Sequence, residues 1–248
     1  MKSKNQKKNS EYWLYGKHTC LAAINNKNRL IRKILVVKKN QHLIPEMFAK
    51  KTEVVDSKEI INILKNNDAT TQGIAVLTEP LIQPSLNELI DDKKRDQLLV
   101  ILDQISDPQN IGAIFRSAAA FSADAIVSTI DNCPKEIDSL VKSTVGTFEL
   151  LPFIHVVNLS QALKTLKDNG YWIIGLDGQA NNSINTFTRS LHDKIALVLG
   201  SEGRGLRPLT KANCDFIFKI PMASAVESLN VSCAAGIALY QLSIKVNS

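Results

Sequence analysis

Residues 195–206 read IALVLGSEGRGL. A short, unbroken apolar run that stops at glycine reads as a strand buried on both faces, the kind found in parallel sheets. The loop after it carries Gly200, Gly203 and Gly205 around one acid, Glu202. Its glycines lack the G-x-G-x-x-G spacing of a dinucleotide turn and the G-K-[ST] ending of a phosphate loop. A carboxylate at this place would also repel pyrophosphate. Bare backbone still suits close approach by a nucleoside, so the loop asks for a nucleoside without phosphates, preferably cationic. A plain glycine-rich turn with an exposed Glu is the alternative that the loop alone leaves open.

Working outward, the same apolar texture recurs at LLVILD (98–103), DAIVST (124–129), LPFIHV (151–156), YWIIGLD (171–177) and FIFKIP (216–221). Helical spacing fills 110–121, 135–144, 160–169, 205–212 and 230–245. Alternation of this kind predicts a wound α/β sheet over 98–248, with ligands gathered at the carboxyl ends of its strands. Upstream, residues 12–80 form a separate α/β domain. Its strands are expected at 31–38, 52–56 and 72–79, and its helices at 43–51 and 57–66. The stretch 81–97, with Pro84 and a charge cluster, is read as a linker, and 1–11 as a basic, disordered tail.

The chain of 248 residues is 44% hydrophobic and 22% charged, ordinary globular values. No apolar run approaches the ~18 residues of a membrane span. The basic start has no apolar stretch behind it, so no secretory signal is read and a cytoplasmic protein is expected. Cys20, Cys133, Cys214 and Cys233 are far apart, as are His18, His42, His155 and His192. Neither a disulfide framework nor a metal site is expected, and the cysteines are read as buried thiols. The net charge of +6 is uneven. Residues 1–51 hold 13 Lys/Arg against Glu11 and Glu46, whereas the remaining 197 hold 17 against 22 acids. The amino-terminal end is therefore the candidate phosphate-binding surface.

Two further stretches follow strand ends. In LDQISDPQNIGAIFRSAAAF (102–121), Asp107 and Pro108 break the chain, Asn110 is read as the helix cap, and Arg116 lies within two turns of it. Helical side chains lean toward the amino terminus, so the long Arg116 arm can reach back to the site mouth. In IPMASAVESLNVSCAAGIALYQL (220–242), Ser228 and Asn230 stand before a helix whose first turns are unusually small. Taken singly, each stretch is also consistent with a cap and a packed or solvated helix.

Together, NIGAIFR (110–116), GSEGRG (200–205) and IPM…SLNVS (220–232) resemble, in order and spacing, the three motifs of the SpoU/TrmH family. These are S-adenosylmethionine-dependent RNA ribose 2′-O-methyltransferases of the SPOUT fold. YGKHTCLAAI (15–24) and its basic domain are similar to the L30e-like substrate-binding domain of the RlmB-like branch, which methylates a guanosine of 23S rRNA. The resemblance implies a parallel sheet with a deep carboxy-terminal trefoil knot, a topology otherwise nearly absent from proteins. It implies S-adenosylmethionine as the donor, held at Gly200, Ile220 and Leu229. Arg116, Asn110, Glu202, Ser228 and Asn230 become the catalytic set, and a homodimer forms through the knotted domain. In the family the Arg116 counterpart is proposed as a base, yet a guanidinium with a pKa above ~12 ordinarily stays protonated. A phosphate clamp that steadies the forming alkoxide is the other role open to it. A tRNA ribose methyltransferase and an inactive RNA-binding homologue are the competing readings.

Overall fold

The computed structural model describes residues 11–66, 69–91, 96–132, 138–190, 194–223 and 225–246. The expected tail thus lies outside the described residues except for Glu11, and so do Cys133 and His192. The chain forms two compact units, 1–82 with 136–149, and 83–135 with 150–248.

The first unit opens with β1 (Tyr12–Tyr15), α1 (Lys17–Asn25) and β2 (Ile31–Val36), followed by β3 (Thr52–Val54), α2 (Ser57–Leu64) and β4 (Ile74–Thr78). Its sheet has the order β1-β4-β2-β3, with β2 and β3 parallel and the other pairs antiparallel. Leu35 and Ala75 on the strands pack with Ile60 of α2 and with Tyr15. The helix expected at 43–51 is absent. Two 3-10 turns, Lys38–Leu43 and Glu46–Lys51, flank Pro45 instead. Proline disfavours helical backbone at the residue before it, and Ile44 is extended at φ −92°, ψ 122°. The break divides the segment into two six-residue stretches, each closed as a 3-10 turn.

The second unit begins with α3 (Leu86–Asp91), β5 (Gln97–Asp103), α4 (Pro108–Ala120) and β6 (Ala125–Thr129). The chain then returns to the first unit through α5 (Asp138–Ser143), which packs against β1, and a 3-10 turn at Thr147–Glu149. Gly146 sits so close to α1 that a Cβ there would lie 2.8 Å from the Ala22 Cβ. Glu149 closes the contact. Its carboxylate takes the guanidinium of Arg29 at 2.5 and 3.2 Å and the Asn26 amide at 2.7 Å. Arg29 also donates to the Tyr12 hydroxyl and the Glu79 carbonyl. Both charged side chains are shut from solvent, at 0% and 2% exposure.

Back in the second unit follow β7 (Phe153–Val156), α6 (Leu159–Asp168), β8 (Tyr171–Leu176), β9 (Asn182–Ser183), β10 (Arg189–Ser190) and β11 (Lys194–Gly200). The chain ends with α7 (Pro208–Ala212), β12 (Phe216–Lys219), α8 (Val231–Ser243) and β13 (Lys245–Val246). Seven strands form one sheet of order β7-β6-β5-β11-β8-β12-β9, with every pairing parallel. β10 and β13 make a separate parallel pair. The sheet is buried on both faces, which is why β5 is solvent-free along its whole length. Leu99, Val127 and Ile173 pack one face against α6.

On the other face lie α4 and α8. They run side by side in the same direction, since three contacts mark their common course. Asn230 meets Asn110 at the start, a Cβ on Gly236 would sit 3.4 Å from the Ser117 hydroxyl midway, and Tyr240 meets Phe121 at 5.8 Å near the end. The small residues of both helices permit this approach. α8 buries the stripe Val231, Ala235, Ala238 and Leu242, and Cys233 falls off it. Cys233 is accordingly exposed, contrary to the expectation of a buried thiol. Cys20 is buried, and burial raises its thiol pKa. Cys214 is half-buried, and burial pushes its thiol up to about 12.

Candidate active site

In a wound sheet the chain leaves adjacent strands in opposite directions at one place, and a crevice opens there beyond the carboxyl ends. Here that place is between β5 and β11. From β5 the chain winds outward to β6 and β7, and from β11 the sheet continues to β8 and β12. The two strands end level, with Gly200 paired to Asp103. All three candidate stretches meet beyond this point.

The first stretch turns at Gln104, which is left-handed at φ +59°. The helix cap is not Asn110, as expected, but Asp107, whose carboxylate accepts from the Gln109 amide. Pro108 follows in the first helical position, where its missing N–H costs nothing. Asn110 therefore sits inside the first turn with its side-chain amide free for other partners. The second stretch doubles back on itself. The Gly205 amide donates to the Ser201 carbonyl at 2.9 Å, and Gly203 and Gly205 hold φ of +77° and +65°. A Cβ at Gly200 would lie 2.2 Å from the Gly205 carbonyl carbon, so only glycine fits. In the third stretch Asn230 does cap α8, accepting from the Ser232 amide at 2.9 Å.

That cap fixes which way the Asn230 amide faces. With its oxygen on α8, its Nδ2 donates to Glu202 Oε1 at 2.6 Å and to Asn110 Oδ1 at 3.0 Å. Asn110 Nδ2 donates to the same Glu202 oxygen at 3.1 Å, and the Val231 amide adds a 3.4 Å contact. Residues 92 and 120 positions apart in sequence thus close one triangle on a single carboxylate oxygen. The amino ends of two parallel helices converge on it, and their dipoles favour an anion there. Among the described residues, Glu202 Oε2 makes no hydrogen bond and stays available to a ligand.

The remaining candidates are near this triangle in sequence but outside it. Arg116 is exposed on α4 and makes no hydrogen bond or ion pair among the described residues. It stands six residues beyond Asn110, about 120° round the helix and ~9 Å along it. Ser228 is exposed and Leu229 half-buried in the approach to α8, and Ile220 is half-buried just after β12. Two participants escaped the sequence reading. Asp103, 1% exposed, accepts from Arg207 Nε at 2.6 Å and from the Arg207 amide at 3.1 Å. The available signal was an acid ending an apolar strand. Among the described residues no group of three His, Cys, Asp or Glu could hold a metal ion, and no helix is long and apolar enough to cross a membrane.

The chain is similar to known proteins. Residues 97–240 match the model of the SpoU rRNA Methylase family, and residues 13–84 match that of the RNA 2′-O ribose methyltransferase substrate-binding domain. The chain is 36% identical over 238 residues to a protein of Coxiella burnetii named 23S rRNA (guanosine-2′-O-)-methyltransferase RlmB, covering 92% of this chain and 94% of that one. It is 37% identical over 240 residues to an uncharacterized tRNA/rRNA methyltransferase of Synechocystis sp., covering 92% of this chain but only 61% of the relative's own length. Among solved structures, the SpoU methyltransferase AviRb of Streptomyces viridochromogenes, crystallised in complex with AdoMet, superposes with a TM-score of 0.75 at 22% identity, over 94% of this chain and 89% of the other.

Proposed function

This chain belongs to the SpoU rRNA Methylase family, and on that premise we infer that it methylates the 2′-hydroxyl of a guanosine ribose in 23S rRNA, with S-adenosylmethionine as donor. The observation that carries the reading is the triangle of Asn110, Glu202 and Asn230, which draws three separated motifs onto one carboxylate at the switch point of the sheet.

The residues present fit such a donor. The 200–206 loop offers main chain without side chains at three positions, and the free Glu202 oxygen suits a cation better than a phosphate. Gly200, Ile220 and Leu229 would hold the donor. When bound, it supplies an electrophilic methyl group on a sulfonium whose leaving group is a neutral thioether. The chain's own task is to place the ribose hydroxyl and steady the charge that develops as it is deprotonated. Arg116, exposed and uncommitted among the described residues, is suited to clamp the neighbouring phosphate and stabilise the alkoxide while keeping its own proton, the hydroxyl proton passing to bulk water at the open site. Asn110, Asn230 and Ser228 orient the carboxylate and the nucleoside around it.

The basic first unit is read as the RNA-docking part. Exposed Ile237 and Tyr240 on α8 support a homodimer through this face. A carboxy-terminal knot belongs to the same reading, and the course of the chain supports it. β12 lies beyond β8, yet α8 returns to pack on β11 and α4.

Mass spectrometry of RNA from cells lacking the protein tests the function. One ribose methyl should vanish from 23S rRNA, return with the wild-type protein, and stay absent with Arg116→Ala. Unchanged 23S rRNA, or a methyl lost from tRNA instead, would overturn the substrate; restoration by Arg116→Ala would overturn the role of that residue.

A further inference from the structure

We propose that Asp103 and Arg207 are positioning residues, a latch that closes the Gly200–Leu206 loop and thereby sets how tightly the methyl donor is gripped. The inference rests on reading that loop as the donor site.

A carboxylate with no solvent exposure is costly unless charge and hydrogen bonds answer it. The Asp103 side chain is 0% exposed, at the end of a strand with no other acid. Among the described residues, one residue supplies both hydrogen bonds to this carboxylate. Arg207 gives its Nε to one carboxylate oxygen at 2.6 Å and its main-chain amide to the other at 3.1 Å. An arginine that caps a short surface helix has water within reach, and this one is still 39% exposed. Its charged group is nonetheless turned inward.

What that contact accomplishes follows from the strand register. Gly200, where the loop leaves β11, is paired with Asp103 through the sheet. Arg207, where the loop rejoins regular structure, is bound to the Asp103 side chain. Both ends of the loop are therefore fastened to a single residue. Inside the ring the packing leaves little slack, because Gly200 has no room for a Cβ against the Gly205 and Leu206 backbone. Releasing Arg207 would let the 205–206 segment lift away from Gly200. Glu202 hangs from the same ring, so its meeting with Asn110 and Asn230 depends on the closure as well.

The experiment compares Asp103→Asn, Arg207→Lys and Arg207→Ala in the full chain. Calorimetric titration gives the affinity for S-adenosylhomocysteine, steady-state methyl transfer gives kcat and the donor KM, and thermal melts report the fold. Loss of a charge-assisted bond at the latch predicts a weakening of S-adenosylhomocysteine binding of about tenfold or more in Arg207→Ala. Arg207→Lys, which keeps the charge, should fall between it and wild type. The donor KM should rise in parallel, with kcat changed less. Because Asp103 is buried, its variant is the one that can fail to fold, and the half-exposed Arg207 pair then decides. Variants that melt lower yet bind S-adenosylhomocysteine like wild type would reduce the pair to a structural ion pair and overturn the latch alone. A wild-type chain indifferent to S-adenosylhomocysteine would overturn the donor reading, and the latch with it.

Discussion

Each unit of this molecule ties distant parts of the chain together through a carboxylate, and the two carboxylates are treated in opposite ways. Glu149 is sealed from solvent and matched by a cation, with Arg29 and Asn26 occupying both of its oxygens. Glu202 is exposed and held through one oxygen by two neutral amides and a main-chain N–H, with no cation beside it among the described residues. The first arrangement is complete in itself, so it contributes to the fold and has nothing left to offer a ligand. The second is held in place by hydrogen bonds but unfinished. A site that must receive a charged partner keeps its geometry fixed and its charge unanswered.

The sharpest break of this contrast is Glu149→Ala. It leaves the Arg29 guanidinium buried without its counter-charge, and removing one partner of a buried pair costs about 3–5 kcal/mol. Denaturant unfolding should show that loss, and hydrogen exchange should place it in the first unit. S-adenosylhomocysteine binding, a property of the second unit on the present reading, should stay near wild type. Substitution within the whole chain is a cleaner test than truncation. Cutting at residue 82 would strip the cover from Leu140, Val141 and Phe148, all at most 1% exposed.

Glu202→Gln should do the reverse. It preserves size and the acceptor oxygen while removing the negative charge, so stability should move by less than about 1 kcal/mol, as exposed polar sites do. Methyl transfer should fall about tenfold to a hundredfold, the scale of losing one well-placed electrostatic group. A fall in stability without a fall in rate would make this carboxylate a second structural clamp and erase the difference between the two units.

The contrast also marks how far the sequence could be read. The strands of the second unit were legible because burial on both faces writes them as unbroken apolar runs, and β5 and β11 were found within a residue of their ends. Two-residue strands such as β9 and β10 are shorter than any periodicity can register. The Asn110–Glu202–Asn230 triangle was legible as residue types, but not as contacts. Asp107 and Asn110 are both good caps three residues apart, and only Pro108 between them decides for Asp107. The return of 138–149 to the first unit left no mark at all. An apolar stripe says that a helix is covered without saying by what, and Arg29 reads as one more charge in a basic segment. Asp103 was passed over for the same reason, since a lone acid at a strand end does not announce the arginine that closes on it.

The gentlest probe is an ion pair that belongs to neither class. Asp177, just after β8, accepts from Lys211 of α7 at 2.6 Å and from the Gln179 amide at 2.9 Å. The lysine is 44% exposed, so salt screens the pair and its worth is about 1 kcal/mol or less. The Lys211 hydrogen bond, aided by the Gln179 amide, holds the Asp177 carboxyl below its ordinary value of 3.8, against a smaller opposing effect of burial. With the folded value depressed, the unfolded chain binds the proton first as the solution is acidified. The stability that Asp177 contributes is therefore fully present above about pH 3.8 and is lost as pH falls through the lower folded value. Asp177→Asn should flatten that acid-side slope, measured by urea unfolding between pH 5 and pH 2, lower stability at neutral pH by no more than about 1 kcal/mol, and leave the donor affinity almost unmoved. A loss at neutral pH as large as that of Glu149→Ala would mean that the α7 end of the loop is held by Lys211 as firmly as the first unit is held by Arg29. The division between sealed and open carboxylates would then have to be redrawn.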